Sequence, residues 1–334
     1  MRLFSCPACQ QQVYFENTVC LACGSEIAFA PESLQMVAVG GPHRTCVQRF
    51  TTEACNWAVD PNDPIERCRS CRLTGALSVV GADALRARAE AAKRQVLYTL
   101  LQLGVPFAAK LGDDDMAGLC FVWALPNSTE PLFSGHQNGT ITLNLNEADD
   151  AHREATRVSF GEPQRTVLGH LRHELSHYLY QRFVDGWPEL STFREIFGDE
   201  RADYTAALQQ HYERGPAGDW QQHFVSAYAS SHPWEDWAET CAHYLLMVEA
   251  VDTAAAWGLQ LSLAGGEHVQ PDDMAGTAPV ERLVIDHWLP LARFLNAMSR
   301  SLGLADSYPY LIPPPVIGKL RFVQDMLRAK DRRG

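Results

Sequence analysis

His173, Glu174 and His177 stand in the pattern H-E-x-x-H, inside a stretch over 163–183 that reads as helix. Residues four apart share one helix face, so the two imidazoles can converge on one Zn²⁺ while the neighbouring glutamate reaches a water on the ion. Zinc lowers the pKa of such a water towards neutrality, and Glu174 would take its proton and pass it to a leaving amine. The spacing therefore predicts zinc-assisted hydrolysis. Val167, Leu168, Leu171, Leu175, Tyr178 and Leu179 recur at helical spacing and supply a core-facing stripe. A helix that buried two histidines and a glutamate without an ion would leave polar groups without partners.

A second kind of metal chemistry is written in the cysteines. Cys6, Cys9, Cys20 and Cys23 form C-x2-C-x10-C-x2-C, two knuckles that can close a tetrahedral four-thiolate zinc site, with Val13, Tyr14 and Phe15 between them as a strand. Cys46, Cys55, Cys68 and Cys71 form a looser set that predicts a second structural zinc. The metal takes the place of the core that so few residues cannot build. Cys120 and Cys241 stand alone among apolar residues and read as small core side chains.

Composition sets the frame for these sites. The chain has 334 residues, 46% of them apolar, and a formal net charge of −12, so it is globular and disfavours polyanionic partners. Residues 1–72 carry six arginines, no lysine and seven acids. Each four-thiolate centre adds a formal charge of about −2, which opposes nucleic-acid binding through the cysteine-rich segment. No apolar run is long enough to span a bilayer, and no hydrophobic signal segment precedes Cys6, so the cytosol is the expected compartment.

The positioning elements follow. A helix is expected over 82–104, strands over 119–125 and 140–145, and then the H-E-x-x-H helix. Strands upstream of such a helix suit a peptidase, because a sheet edge can hold an extended substrate. Helices are expected over 193–212, 233–251 and 280–302, and a final short one after the proline-rich turn at 309–315. The fold class is α+β: a mostly helical domain with a small antiparallel sheet over 81–334, behind a zinc ribbon at 1–30 and a second cysteine-rich segment at 31–80.

Two histidines do not complete a catalytic zinc site, and Tyr180 and Phe183 stand where the metzincin pattern needs Gly and a third His. A downstream carboxylate is the expected third ligand, and two segments offer one. In the nearer, Phe197 to Tyr204, Glu200 and Asp203 are candidates, although acids there also suit a helix N-terminus. In the farther, Pro233 suits a first helical turn, and Glu235, Glu239 and His243 then line one face. A carboxylate on that face can reach the histidines, with Glu239 orienting them from behind.

At these residues a resemblance adds to the pattern. Tyr228, followed by Glu235-Asp236-Trp237-Ala238-Glu239, resembles the motif in the catalytic domain of anthrax lethal factor and related gluzincins. The resemblance implies that Glu235 ligates zinc and that Tyr228 faces the reacting carbonyl. Over nearly its whole length the chain is similar to a bacterial family of zinc-binding metallopeptidases with an N-terminal zinc ribbon. The shared segments are Cys55-Asn56-Trp57, Cys68-Arg69-Ser70-Cys71-Arg72, the H-E-x-x-H helix, F-G-D-E-R-x-D-Y and H-P-W-E-D-W-A-E.

The expected function is a cytosolic zinc peptidase with Glu174 as base and then acid, Tyr228 as donor to the oxyanion, and a peptide or protein as substrate. One catalytic zinc and one or two structural zincs are implied. The alternative is a zinc-stabilised scaffold whose ribbon docks a protein partner.

Overall fold

The computed structural model describes residues 2–51, 54–60, 62–75, 82–126, 132–262, 268–271 and 278–329. The chain divides into two units, Met1–Leu171 and Arg172–Gly334. The expected boundary at 80/81 lies outside the described residues.

The first unit begins with β1 (Phe4–Ser5) and β2 (Gln12–Val13), paired antiparallel. Each cysteine knuckle closes on itself: the Gln10 amide donates to Cys6 O at 2.9 Å and the Gly24 amide to Cys20 O at 2.8 Å. Both closing residues sit at positive φ, 62° and 74°, a backbone region that glycine enters freely and glutamine does not. β3 (Ile27–Ala30) pairs antiparallel with β4 (Gln35–Ala38), and β5 (Arg44–Thr45) with β6 (Ala58–Val59). Phe4, Phe15 and Phe29 pack around Tyr98, with ring centroids 5.3–6.2 Å apart, and Phe29 also meets Trp57. Tyr98 belongs to α1 (Asp83–Gln102), so both cysteine-rich segments share one aromatic core with that helix.

β7 (Cys120–Ala124), β8 (Gly135–Gln137) and β9 (Thr140–Asn144) form one sheet in the order β7-β9-β8. The expected antiparallel pairing is present in β8–β9 and in the two-stranded sheets, while β7 joins β9 parallel. The alternation of β7 buries Phe121 and Trp123 and leaves Cys120, Val122 and Ala124 half-buried. Cys120 is therefore not the core residue expected of it, because it lies on the strand's wetter face. Cys241 is fully buried, as expected.

Beneath the sheet, α1 carries a buried ion pair, Glu90 with Lys93, at 2.7 Å. Glu90 Oε1 also accepts from Trp123 Nε1 and from Thr74 Oγ1, both at 2.7 Å. These bonds tie helix, sheet and the segment after Cys71 to one carboxylate. A further helix, α2 (Asp150–Phe160), has no buried residue; Asp149 caps its start and Gly161 (φ 65°) ends it.

The H-E-x-x-H helix α3 (Val167–Phe183) begins in the first unit and carries its motif in the second, where α4 (Leu190–Phe197) and α5 (Tyr204–Arg214) follow. The single helix expected over 193–212 is thus two. Gly198, at φ 104°, ends α4, and the Asp203 side chain caps α5 by accepting from the Ala206 amide. α6 (Pro233–Ala256) runs through the core, and β10 (Leu261–Ser262) pairs with β11 (His268–Val269). The helix expected over 280–302 begins as a π-helical stretch, Arg282–Trp288, and continues as α7 (Leu289–Ser301). Pro290 has no amide hydrogen to give to the preceding turn, which accounts for the changed winding.

α8 (Pro314–Arg328) packs on α6, where Lys319 meets the buried Asp236 at 2.6 Å. Phe193, Phe197, Trp237 and Phe322 fill the space among α4, α6 and α8. Among the described residues, no helix is long and apolar enough to cross a membrane.

Lys93→Met would leave the buried Glu90 carboxylate with only Arg94, 3.9 Å away, as a counter-charge. Urea unfolding should show a loss of about 3–5 kcal/mol. Replacing both Glu90 and Lys93 with apolar residues should cost less than that single change.

Candidate metal centre

His173 and His177 sit one turn apart on α3, and their Nε2 atoms lie 3.2 Å from each other. The partner element is the first turn of α6. His232 caps that helix by accepting from the Trp234 amide, Pro233 occupies its first position, and Glu235 follows with a side chain 1% exposed. Glu235 Oε2 lies 3.0 Å from His173 Nε2 and 3.6 Å from His177 Nε2. Three edges of 3.2, 3.0 and 3.6 Å bracket the edge of about 3.4 Å that a tetrahedron with bonds of about 2.1 Å would have.

Hydrogen bonding makes the case chemical as well as geometric. His173 Nδ1 is 2.8 Å from Glu239 Oε1. A carboxylate can only accept, so Nδ1 carries the proton and, in the neutral ring, Nε2 presents its lone pair to the centre. Glu235 Oε2 is buried without a hydrogen-bond partner and faces the same point. Facing lone pairs this close together repel unless a cation lies among them. Burial alone would lower the His173 pKa, yet Glu235 and Glu239 hold it well above its ordinary value. Glu235, against its own burial, is held well below the carboxylate range by His177 and His173. The donor set of two imidazoles and a carboxylate fits zinc.

Around this centre stand the other expected residues and two unexpected ones. Burial pushes the Glu174 carboxyl above its usual range. The Tyr228 ring lies 6.0 Å from the His173 ring, and burial, followed by Glu235, raises the pKa of its phenol. His243 lies behind the site, bonded to the Tyr308 hydroxyl at 2.7 Å, with its pKa pushed down to about 4 by burial. Glu200 is engaged by Arg194 at 2.9 Å, and Asp203 caps α5, so both alternatives to Glu235 are occupied elsewhere.

Ser226 donates to Glu239 Oε2 at 2.6 Å and Tyr204 donates to Glu235 Oε1 at 2.6 Å. Sequence reasoning assigned neither residue a role. Tyr204 closes F-G-D-E-R-A-D-Y, and its place in that motif was the one available signal; Ser226 offered none.

The two cysteine sets also gather. Cys6–Cys23 and Cys9–Cys20 sulfur separations are 3.7 Å, and those of Cys55–Cys68 and Cys55–Cys71 are 3.6 and 3.5 Å. A zinc–sulfur tetrahedron has an edge of about 3.8 Å. All eight thiols are free of disulfides. Backbone amides of Cys68 and Cys71 donate to Cys46 Sγ and Cys68 Sγ, which suits thiolates.

An α+β fold with a four-cysteine ribbon and an H-E-x-x-H helix facing a glutamate defines a class of zinc protein, and comparison with known families identifies it. Residues 84–326 match the family described as "Putative zinc-binding metallo-peptidase", and residues 3–80 match a zinc-ribbon domain. The chain belongs to this metallopeptidase family and is zinc-binding. It is similar to uncharacterized proteins of Mycobacterium bovis and of two strains of Mycobacterium tuberculosis. Each is 42% identical, over 98% of this chain and 95% of the relative. No solved structure matches it.

Glu239→Gln would keep a hydrogen bond to His173 Nδ1 but weaken the hold on its tautomer. Competition against a chromophoric chelator should show zinc affinity at the histidine site about 10–100-fold lower, with the thiolate-held zinc unchanged.

Proposed function

We propose that the chain is a zinc-dependent peptidase. The observation that carries this is the meeting of His173 Nε2, His177 Nε2 and Glu235 Oε2 at one half-buried point, with Glu174 beside it. In this proposal those three residues hold the catalytic ion. When bound, zinc would polarise the scissile carbonyl and acidify water at the site. Glu174 takes a proton from that water and delivers it to the leaving amine. Its burial-raised pKa suits a group that must first accept a proton and then release it. Tyr228 stays protonated because burial disfavours its phenolate, so it can donate to the oxyanion of the tetrahedral intermediate. Glu239, steadied by Ser226, keeps His173 in the required tautomer.

Cys6, Cys9, Cys20 and Cys23 would hold one structural zinc, and Cys46, Cys55, Cys68 and Cys71 a second. Reduced thiols in this number suit the cytosol. The substrate class is a peptide or protein.

The second reading, a zinc-stabilised scaffold docked through its ribbon, draws on one observation: Leu21, at the tip of the second knuckle, is 95% exposed, with Tyr14 and Val19 also exposed. An apolar tip of that kind suits a protein partner.

Glu174→Gln separates the two. The variant should retain its zinc while hydrolysis of accepted peptides falls by about 10²–10⁴-fold. Undiminished turnover would remove Glu174 from the mechanism, and a wild-type protein that cleaves nothing in a broad peptide library would favour the scaffold.

A further inference from the structure

A carboxylate can hold a metal through one oxygen or both, and which it does sets how many vertices remain for the reaction. Glu235 is 1% exposed and its two oxygens have different neighbours. Oε2 faces both imidazole Nε2 atoms, whereas Oε1 accepts from the Tyr204 hydroxyl at 2.6 Å. A second tie brings the same two segments together. His232 Nδ1 accepts from the Trp234 amide at 3.1 Å, which leaves Nε2–H to donate to Ala202 O, also at 3.1 Å. The Tyr204 ring stands edge-on to His232, with centroids 5.1 Å apart, and lies 5.8 Å from Trp234. Residues 202–204 are thereby clamped to residues 232–235 by a bond between the His232 ring and a backbone carbonyl at one end and a bond between two side chains at the other. Asp203, capping α5 at the Ala206 amide, fixes where the tyrosine starts. The ring is held by His232 and Trp234, which are not ligands.

We propose that Tyr204 is a positioning residue: by occupying Oε1 it makes Glu235 a one-oxygen ligand and keeps the fourth vertex open. This rests on Glu235 being a zinc ligand, as proposed above. Tyr204 does not touch the reacting atoms. Its effect on the metal passes through the ligand Glu235, so the two side chains must be coupled; the hydroxyl also meets Tyr228, which is not a ligand.

A double-mutant cycle on the full-length chain tests that coupling. A mild chelator removes the zinc from the histidine site, and calorimetric rebinding of zinc reads its affinity in wild type, Tyr204→Phe, Glu235→Ala and the double variant. Tyr204→Phe keeps the ring against His232 and Trp234 and should weaken zinc about 10–100-fold. In the Glu235→Ala background the same change should add less than about twofold. A residue that merely supported the fold would weaken zinc in both backgrounds. If Glu235→Ala leaves affinity unchanged, the ligand assignment fails and takes this proposal with it. If Glu235→Ala weakens zinc but Tyr204→Phe does not, or the two losses multiply, the ligand assignment stands and the role of Tyr204 is refuted. An infrared difference spectrum of wild type, zinc-loaded minus chelator-treated, needs no variant. One-oxygen coordination widens the gap between the symmetric and antisymmetric carboxylate stretches, and a narrowed gap would overturn the proposal.

Discussion

Two imidazole nitrogens and one carboxylate oxygen, held within 3.6 Å of each other at a half-buried point, would be an unfavourable arrangement if nothing cationic lay among them. Three polar contacts of the second unit hold it in place. Glu239 takes the far proton of His173, Ser226 steadies Glu239, and Tyr204 ties down the other oxygen of Glu235. The apolar surroundings matter as much. Phe193, Phe197, Trp237 and Phe322 anchor α6 against α4 and α8, so the first turn of α6 cannot relax away from the histidines. Trp237 adds a direct tie by donating to Ser176 O on the H-E-x-x-H helix at 2.8 Å. Repulsion between donors is thus opposed by packing, and metal binding relieves it.

The same logic, in another chemistry, governs the N-terminal segment. Strands of two to four residues cannot stand alone, and the two cysteine sets supply convergence points that so short a stretch of chain could not otherwise hold. The knuckles differ in one instructive way. Gly24 adopts its positive φ at no steric cost, while Gln10 adopts the same conformation against its own preference. Closure of the first knuckle is therefore imposed by its four-sulfur convergence more than by local propensity.

Much of this was legible beforehand, for identifiable reasons. H-E-x-x-H and the paired C-x-x-C spacings are local, and a helix or knuckle converts them directly into geometry. The first turn of α6 was readable because Pro233 and two acids mark a helix start. What escaped were features decided by distant partners. Gly198 was hidden inside an otherwise helical pattern, so α4 and α5 read as one helix. The parallel pairing of β7 with β9 depends on a crossing connection that composition does not signal. Tyr204 and Ser226 look like ordinary polar residues until the fold brings them to Glu235 and Glu239. Glu200 shows the converse: it stood among the candidate ligands, but Arg194, six residues before it, holds it.

The aromatic cluster of Phe4, Phe15, Phe29, Trp57 and Tyr98 bears on how such a chain could have been assembled. A zinc ribbon is commonly pictured as an interchangeable tag, free to be gained or shed between genes. Here, a chain beginning after the cysteines would bare the Tyr98 side of α1 to water, trading modularity for a stripped apolar face. Ribbon and helix thereby depend on each other for burial.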